Sequence, residues 1–158
     1  MKSINFPKLI IAIVVSELAG IIGSFFTVSA IPSWYTELIK PVINPPGWIF
    51  GPVWTALYLL MGVAAYLIWM KGWENKEVRA ALGVFGIQLM LNAAWSVVFF
   101  GLQSPGSALI ELISLWFAIL ATIIAFSKIS RQAAWLLVPY IVWVTFAAYL
   151  NWSIWLLN

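Results

Sequence analysis

Five stretches of this chain, residues 9–31, 48–70, 80–102, 107–127 and 134–157, are each apolar over about 20 residues. A helix of that length crosses the roughly 30 Å hydrocarbon core of a bilayer, and within lipid it satisfies its own backbone hydrogen bonds. The pattern predicts an all-α integral membrane protein, a five-transmembrane-helix bundle with residues 1–158 as a single membrane domain. Composition agrees, since 64% of residues are hydrophobic and 8% charged, with a mean hydropathy of +1.02, whereas soluble domains carry about a quarter charged residues. Lys2 and Lys8 ahead of the first run resemble a secretory signal. The run is longer than a signal's apolar region and no small-residue cleavage site closes it, so it reads as a retained span.

Basic residues set the orientation. Lys2, Lys8, Lys71, Lys76, Arg79, Lys128 and Arg131 fall on the amino-terminal side and Lys40 alone on the other. The positive-inside rule then places the amino terminus inside and the carboxyl terminus and first loop outside, in a multi-pass membrane protein expected in a bacterial cell membrane. Gln103-Ser104-Pro105-Gly106 reads as a tight turn that makes the third and fourth spans antiparallel neighbours. Pro52 is expected in the first turn of the second span, where its missing N–H costs little, and Pro139 is expected to kink the fifth.

The chain has no Cys, His or Asp. This excludes disulfides, Cys/His zinc sites, and Ser-His-Asp or Cys-His catalysis, and no metal site or required cofactor is expected. The net charge of +3 reports on topology, and a nucleic-acid partner is not expected.

Three spans carry aromatic stripes with neutral polar groups. Trp54, Tyr58, Met61 and Ala65 share a face of the second span. Gln88, Asn92, Trp95 and Phe99 share one on the third, and Tyr140, Trp143, Ala147 and Asn151 one on the fifth, with Leu150 alongside. Amides inside a bilayer need partners, so these stripes suit either interlocked helix packing or a ligand cavity. Trp34, Trp48, Trp73, Trp135 and Trp155 fall near span ends, where aromatic belts are usual. Glu17 and Glu111 are the acids within the spans. Glu111 is expected to snorkel to the interface, and Glu17 to face the bundle interior or keep its proton. Gly20, Gly23 and Ser24, and likewise Ala80, Gly83 and Gly86, have spacing suited to close helix packing or a homodimer seam.

The first loop, residues 32–47, holds Pro41, Pro45 and Pro46. These fix φ and push the preceding residues towards extended conformations, so Lys40–Pro46 reads as a stiff, mostly extended strap without regular hydrogen bonding, suited to roofing a cavity.

Here the residues resemble a known family. Trp34-Tyr35, Leu38-Ile39-Lys40-Pro41, Asn44-Pro45-Pro46-Gly47-Trp48, Gly51-Pro52-Val53-Trp54 and Leu57-Tyr58 are similar to the first loop and second helix of the TspO/translocator family. Its members are also called tryptophan-rich sensory proteins or peripheral benzodiazepine receptors. Gln88, Leu91-Asn92, Trp95 and Phe99-Phe100-Gly101 extend the match, as do Pro139-Tyr140, Trp143, Phe146-Ala147 and Leu150-Asn151.

The resemblance implies a five-helix bundle, commonly a homodimer. It also implies a receptor or sensor whose pocket beneath the first loop binds porphyrins of the protoporphyrin IX type and synthetic benzodiazepine-type ligands, linked to tetrapyrrole regulation or stress. Carried over by motif, the ligand-binding residues are Pro45, Trp48, Phe50, Trp54, Tyr58, Gln88, Asn92, Trp95, Phe99, Trp143, Ala147 and Leu150. Light-dependent protoporphyrin degradation, attributed in some bacterial members to two tryptophans, would fall to Trp54 and Trp143 as catalytic residues. A transporter of porphyrins or other small apolar ligands is the remaining alternative, although no charge relay supports it. Gln88 and Asn92 are expected to hydrogen-bond a ligand. Without His or Cys, haem iron would have only Met or Tyr as protein ligands, so metal-free porphyrin is expected to bind better. Ile43 stands where many members have Trp, and no basic residue follows Arg131 to complete the animal sterol motif, which argues against sterol binding.

Overall fold

The computed structural model describes residues 4–158. Seven helices run in chain order: α1 Phe6–Ala30, α2 Trp34–Glu37, α3 Gly47–Trp69, α4 Lys76–Ser96, α5 Pro105–Ile129, α6 Arg131–Leu136 and α7 Val138–Leu157. A π-helical turn, Val97–Gly101, prolongs α4. Five units are long and apolar enough to cross a membrane: α1, α3, α4 with its π turn, α5, and α6 with α7. Their outer faces are apolar, as Ile10, Val14, Leu18, Ile21 and Phe25 show along α1, which is the pattern of helices solvated by lipid.

Local chemistry sets the helix ends. The Asn5 side chain accepts from the Lys8 N–H, and Pro7 occupies the first turn of α1, where its missing donor is not needed. Asn75 caps α4 by accepting from Glu77 N–H at 2.9 Å. Ser130 ends α5 and its hydroxyl caps α6. Gln103 turns the chain between the third and fourth spans with φ of 51°, and α4 and α5 pack along each other as the turn predicts.

Three backbone expectations need correction. Pro52 is the sixth residue of α3, because the helix starts at Gly47 immediately after the Pro45-Pro46 pair. Pro139 lies in the first turn of α7, with the fifth span interrupted at Leu137 instead of bent within one helix, since Pro139 has no N–H to continue the ladder. The strap is not extended throughout: Asn44 N–H donates to Pro41 C=O at 2.9 Å, closing a turn that leaves Val42 and Ile43 exposed. The short helix α2, embedded in the predicted loop, has no counterpart in the sequence reading.

The spans close into a ring. α1 packs on α3 and α4, α4 on α5, and α5 on α7, while α3 meets the fifth span mainly through α6. The interruption at Leu137 thus separates a segment that leans on α3 from one that leans on α5. Away from the first loop the bundle is solid, with Met61, Ala64, Ile68, Ile119 and Phe126 fully buried and Phe85 stacked on Phe126. Two glycines permit the closest helix contacts. A Cβ on Gly62 would lie 2.5 Å from Ile13 Cα, and one on Gly20 would strike the Tyr58 ring. The stripe Ala80, Gly83 and Gly86 plays no such part, and a Cβ on either of these glycines meets nothing within 4 Å.

Candidate functional site: a ring-lined cavity between four spans

Above the solid half, α1, α3, α4 and α7 surround a cavity of about 480 Å³, within the range of small-molecule sites. It is walled by rings. Trp54 stacks on Tyr58 at 5.6 Å and meets Tyr140 edge-on at 6.2 Å. Trp95 stacks on Phe99 at 5.2 Å, and Phe50 meets Trp143 edge-on at 6.0 Å. The π turn carries Phe99 to a position where Trp34 and Tyr35 of α2 pack against it.

Of the twelve residues carried over by motif, ten line this cavity: Trp48, Phe50, Trp54, Tyr58, Asn92, Trp95, Phe99, Trp143, Ala147 and Leu150. Trp48 forms its rim and is 75% exposed. Pro45 does not line it, and neither does Gln88, which is buried beneath the floor.

The polar side chains of the stripes are engaged with one another. Tyr58 hydroxyl donates to Asn92 Oδ1, and Asn92 Nδ2 donates to the Tyr140 hydroxyl at 2.8 Å. Tyr140 in turn donates to Gln88 Oε1 at 2.8 Å, and Gln88 Nε2 points to Met61 Sδ at 3.7 Å. Trp95 Nε1 donates to Asn151 Oδ1, whose amide donates to Pro105 C=O. The expectation that Gln88 and Asn92 wait for a ligand is therefore corrected: both tie α3, α4 and α7 together, and Asn92 merely shows an edge to the cavity. The packing alternative holds for the polar groups of the stripes. The deeper polar groups bind helix to helix, and the rings above them line the space.

A polar atom on the wall is left over. Trp143 Nε1 is buried without a hydrogen-bond partner, and an unmade bond of this kind is costly. Glu111 also departs from expectation. Both of its carboxyl oxygens are buried and unpartnered, so it does not snorkel. Its side chain is turned inward on α5.

The roof is tied at several points. Tyr35 hydroxyl donates to Asn44 Oδ1 at 3.2 Å, and Lys40 Nζ donates to the carbonyls of Tyr35 and Leu38 at 2.7 and 2.8 Å while lying over the Tyr35 ring. Burial pushes the Tyr35 hydroxyl above the ordinary tyrosine range, which its bond to Asn44 only partly offsets. Asn158 accepts from Ile39 N–H and donates to Ile39 C=O, both at 3.0 Å, fastening the strap to the end of α7.

Sequence reasoning missed one whole wall. Gly20, Gly23, Ser24 and Thr27 of α1 line the cavity, as does Tyr35, and Glu17 lies among them on the inward side that the sequence allowed for it. The small-residue spacing around Gly20 was the available signal, and it marked a helix that must approach closely without saying what lay beside it.

A family model described as the TspO/MBR family matches residues 12–156. The chain is 48% identical over 139 residues to the tryptophan-rich protein TspO of Chlorobaculum tepidum, covering 88% of each chain. It is 41% identical to the human translocator protein, over 88% of this chain and 83% of the relative. To a tryptophan-rich sensory protein of Cereibacter sphaeroides it is 38% identical, over 79% of this chain and 77% of that one. A ring-lined cavity among five membrane-spanning helices thus coincides with sequence similarity along nearly the whole length, and the chain belongs to the TspO/MBR family.

Proposed function

We propose that the chain is a membrane receptor or sensor that takes a flat aromatic ligand, a metal-free porphyrin of the protoporphyrin IX type or a benzodiazepine-type compound, into the cavity beneath α2. The observation that carries this reading is the cavity itself, walled by stacked and edge-on rings from three spans. Such ring contacts add about 0.5–1.5 kcal/mol each beyond burial. The sensory name borne by one relative supports the same reading. With the basic ends of the spans inside, the roof faces the outer compartment.

The test is quenching of tryptophan fluorescence by protoporphyrin IX in lipid nanodiscs. Saturable quenching is expected, weakened about two- to tenfold in Trp143→Phe through loss of one indole contact. Quenching no greater than in empty nanodiscs refutes the proposal. A second reading, light-dependent protoporphyrin breakdown, draws on Trp54 and Trp143 lining one cavity as oxidisable neighbours of an excited porphyrin. Illumination with absorbance followed over time separates the two. Loss equally fast in wild type and in Trp54→Phe/Trp143→Phe dismisses the enzymatic reading and leaves the receptor.

A further inference from the structure

Glu17 is the one acidic side chain among the residues that line the cavity. It sits in the middle of α1, one turn below Gly20, where the absence of a side chain lets the Tyr58 ring lie against the helix. Among the described residues its carboxyl has neither a hydrogen-bond partner nor an ion-pair partner. The Tyr58 hydroxyl already donates to Asn92 Oδ1. The basic side chain nearest along α1, Lys8, lies over the Trp69 ring at the far end of the span.

The neighbouring hydroxyls do not answer Glu17 either. Ser24 donates to Ile21 C=O at 2.7 Å, Thr27 to Gly23 C=O at 3.0 Å, and Thr55 to Gly51 C=O at 3.0 Å. Each is folded back on its own helix. An uncompensated carboxylate at this depth is costly, and it is a group that packing alone would replace by Leu or Ala.

The wall around Glu17 is also open to one side. Ile21, Ser24 and Val28 of α1, and Gly51 and Thr55 of α3, line the cavity and are at the same time exposed on the outside of the bundle. In a membrane that outside is lipid, so the compounds that reach Glu17 include those dissolved in the bilayer.

We propose that Glu17 is a ligand-pairing carboxyl, and that through it the cavity selects aromatic ligands carrying a basic amine over neutral ligands of the same shape. On entry the amine takes up the carboxyl proton, and the resulting ammonium–carboxylate pair carries no net charge into the membrane. The rings hold the aromatic body, and Glu17 on α1 takes its charged end. This inference rests on the ring-lined cavity being the ligand site.

Two matched probes test it: a neutral porphyrin bis-ester, and the same ring with a tertiary amine ending one side chain. Each is titrated by tryptophan quenching into wild type and Glu17→Gln in zwitterionic nanodiscs, with empty nanodiscs subtracted. A charge-assisted hydrogen bond predicts that wild type prefers the amine by about tenfold or more, and that Glu17→Gln brings the ratio to about one. The wild-type ratio stands without any variant, and thermal melting checks that Glu17→Gln is folded. Equal binding of the two probes by wild type, or a ratio retained in Glu17→Gln, overturns the role of Glu17 while leaving the cavity as the site. Failure of both probes to quench overturns the cavity reading and this inference together.

Discussion

Replacing Tyr140 by Phe removes one oxygen atom from the centre of the bundle and leaves the ring in place. That oxygen accepts from Asn92 Nδ2 and donates to Gln88 Oε1, each at 2.8 Å. Tyr140, Gln88 and Asn92 are 1%, 1% and 4% exposed, so water cannot replace it. Hydrogen bonds between membrane helices contribute about 0.6 kcal/mol on average and up to about 1.7. The two bonds lost predict a destabilisation of about 1–3.5 kcal/mol. Tyr58→Phe breaks the single bond to Asn92 Oδ1 and predicts about half as much, since a carbonyl oxygen tolerates loss of a partner better than an N–H does. Because both bonds meet at Asn92, the double variant should depart from additivity by about 0.5 kcal/mol or more. Reversible unfolding of the helical signal in mixed detergent measures all three. The reasoning fails if Tyr140→Phe costs no more than Tyr58→Phe, or if the two effects simply add.

Other expectations follow from single features. Gly62→Ala should destabilise by about 1–3 kcal/mol because the added carbon meets the Ile13 backbone, whereas Gly83→Ala, with open space around it, should be neutral or stabilising in the same melt. Glu111→Leu should raise the melting temperature, because it removes two buried carboxyl oxygens that have no partner; a lowered melting temperature would mean that the carboxyl is satisfied in the membrane. The raised Tyr35 pKa means that the folded roof holds the phenol proton more tightly than an unfolded chain does. Its contribution is therefore complete below about pH 10 and falls as pH rises beyond that towards the folded value. Hydrogen exchange at Ile39 should accelerate in that alkaline window in wild type, beyond the intrinsic rise, and this excess should vanish in Tyr35→Phe.

The fold was legible because bilayer thickness imposes a length on each span, and the helices found begin and end within a few residues of the apolar runs. Interruptions were less so. Pro139 announced a disturbance, yet whether the chain bends or restarts depends on what α6 and α7 each pack against, which is tertiary information. The aromatic stripes placed Trp54, Trp95 and Trp143 on inward faces because helical periodicity is local. Pro45 came in by motif and Gln88 by both motif and spacing, and neither signal distinguishes a residue that touches the cavity from one that braces it from behind. Glu111 misled for a related reason. Depth along a helix is readable from sequence, whereas the direction in which one side chain turns is decided by its neighbours.

The pairing of Asn158 with Ile39 joins residues that emerge from the ribosome at opposite stages of synthesis. Until the last span has inserted, the strap has nothing to fasten to, and the cavity lacks the wall that carries Trp143. Roofing therefore waits on insertion of α7. A chain arrested before α7 would lack both the anchor of the strap and one wall of the cavity, leaving its aromatic interior unsealed.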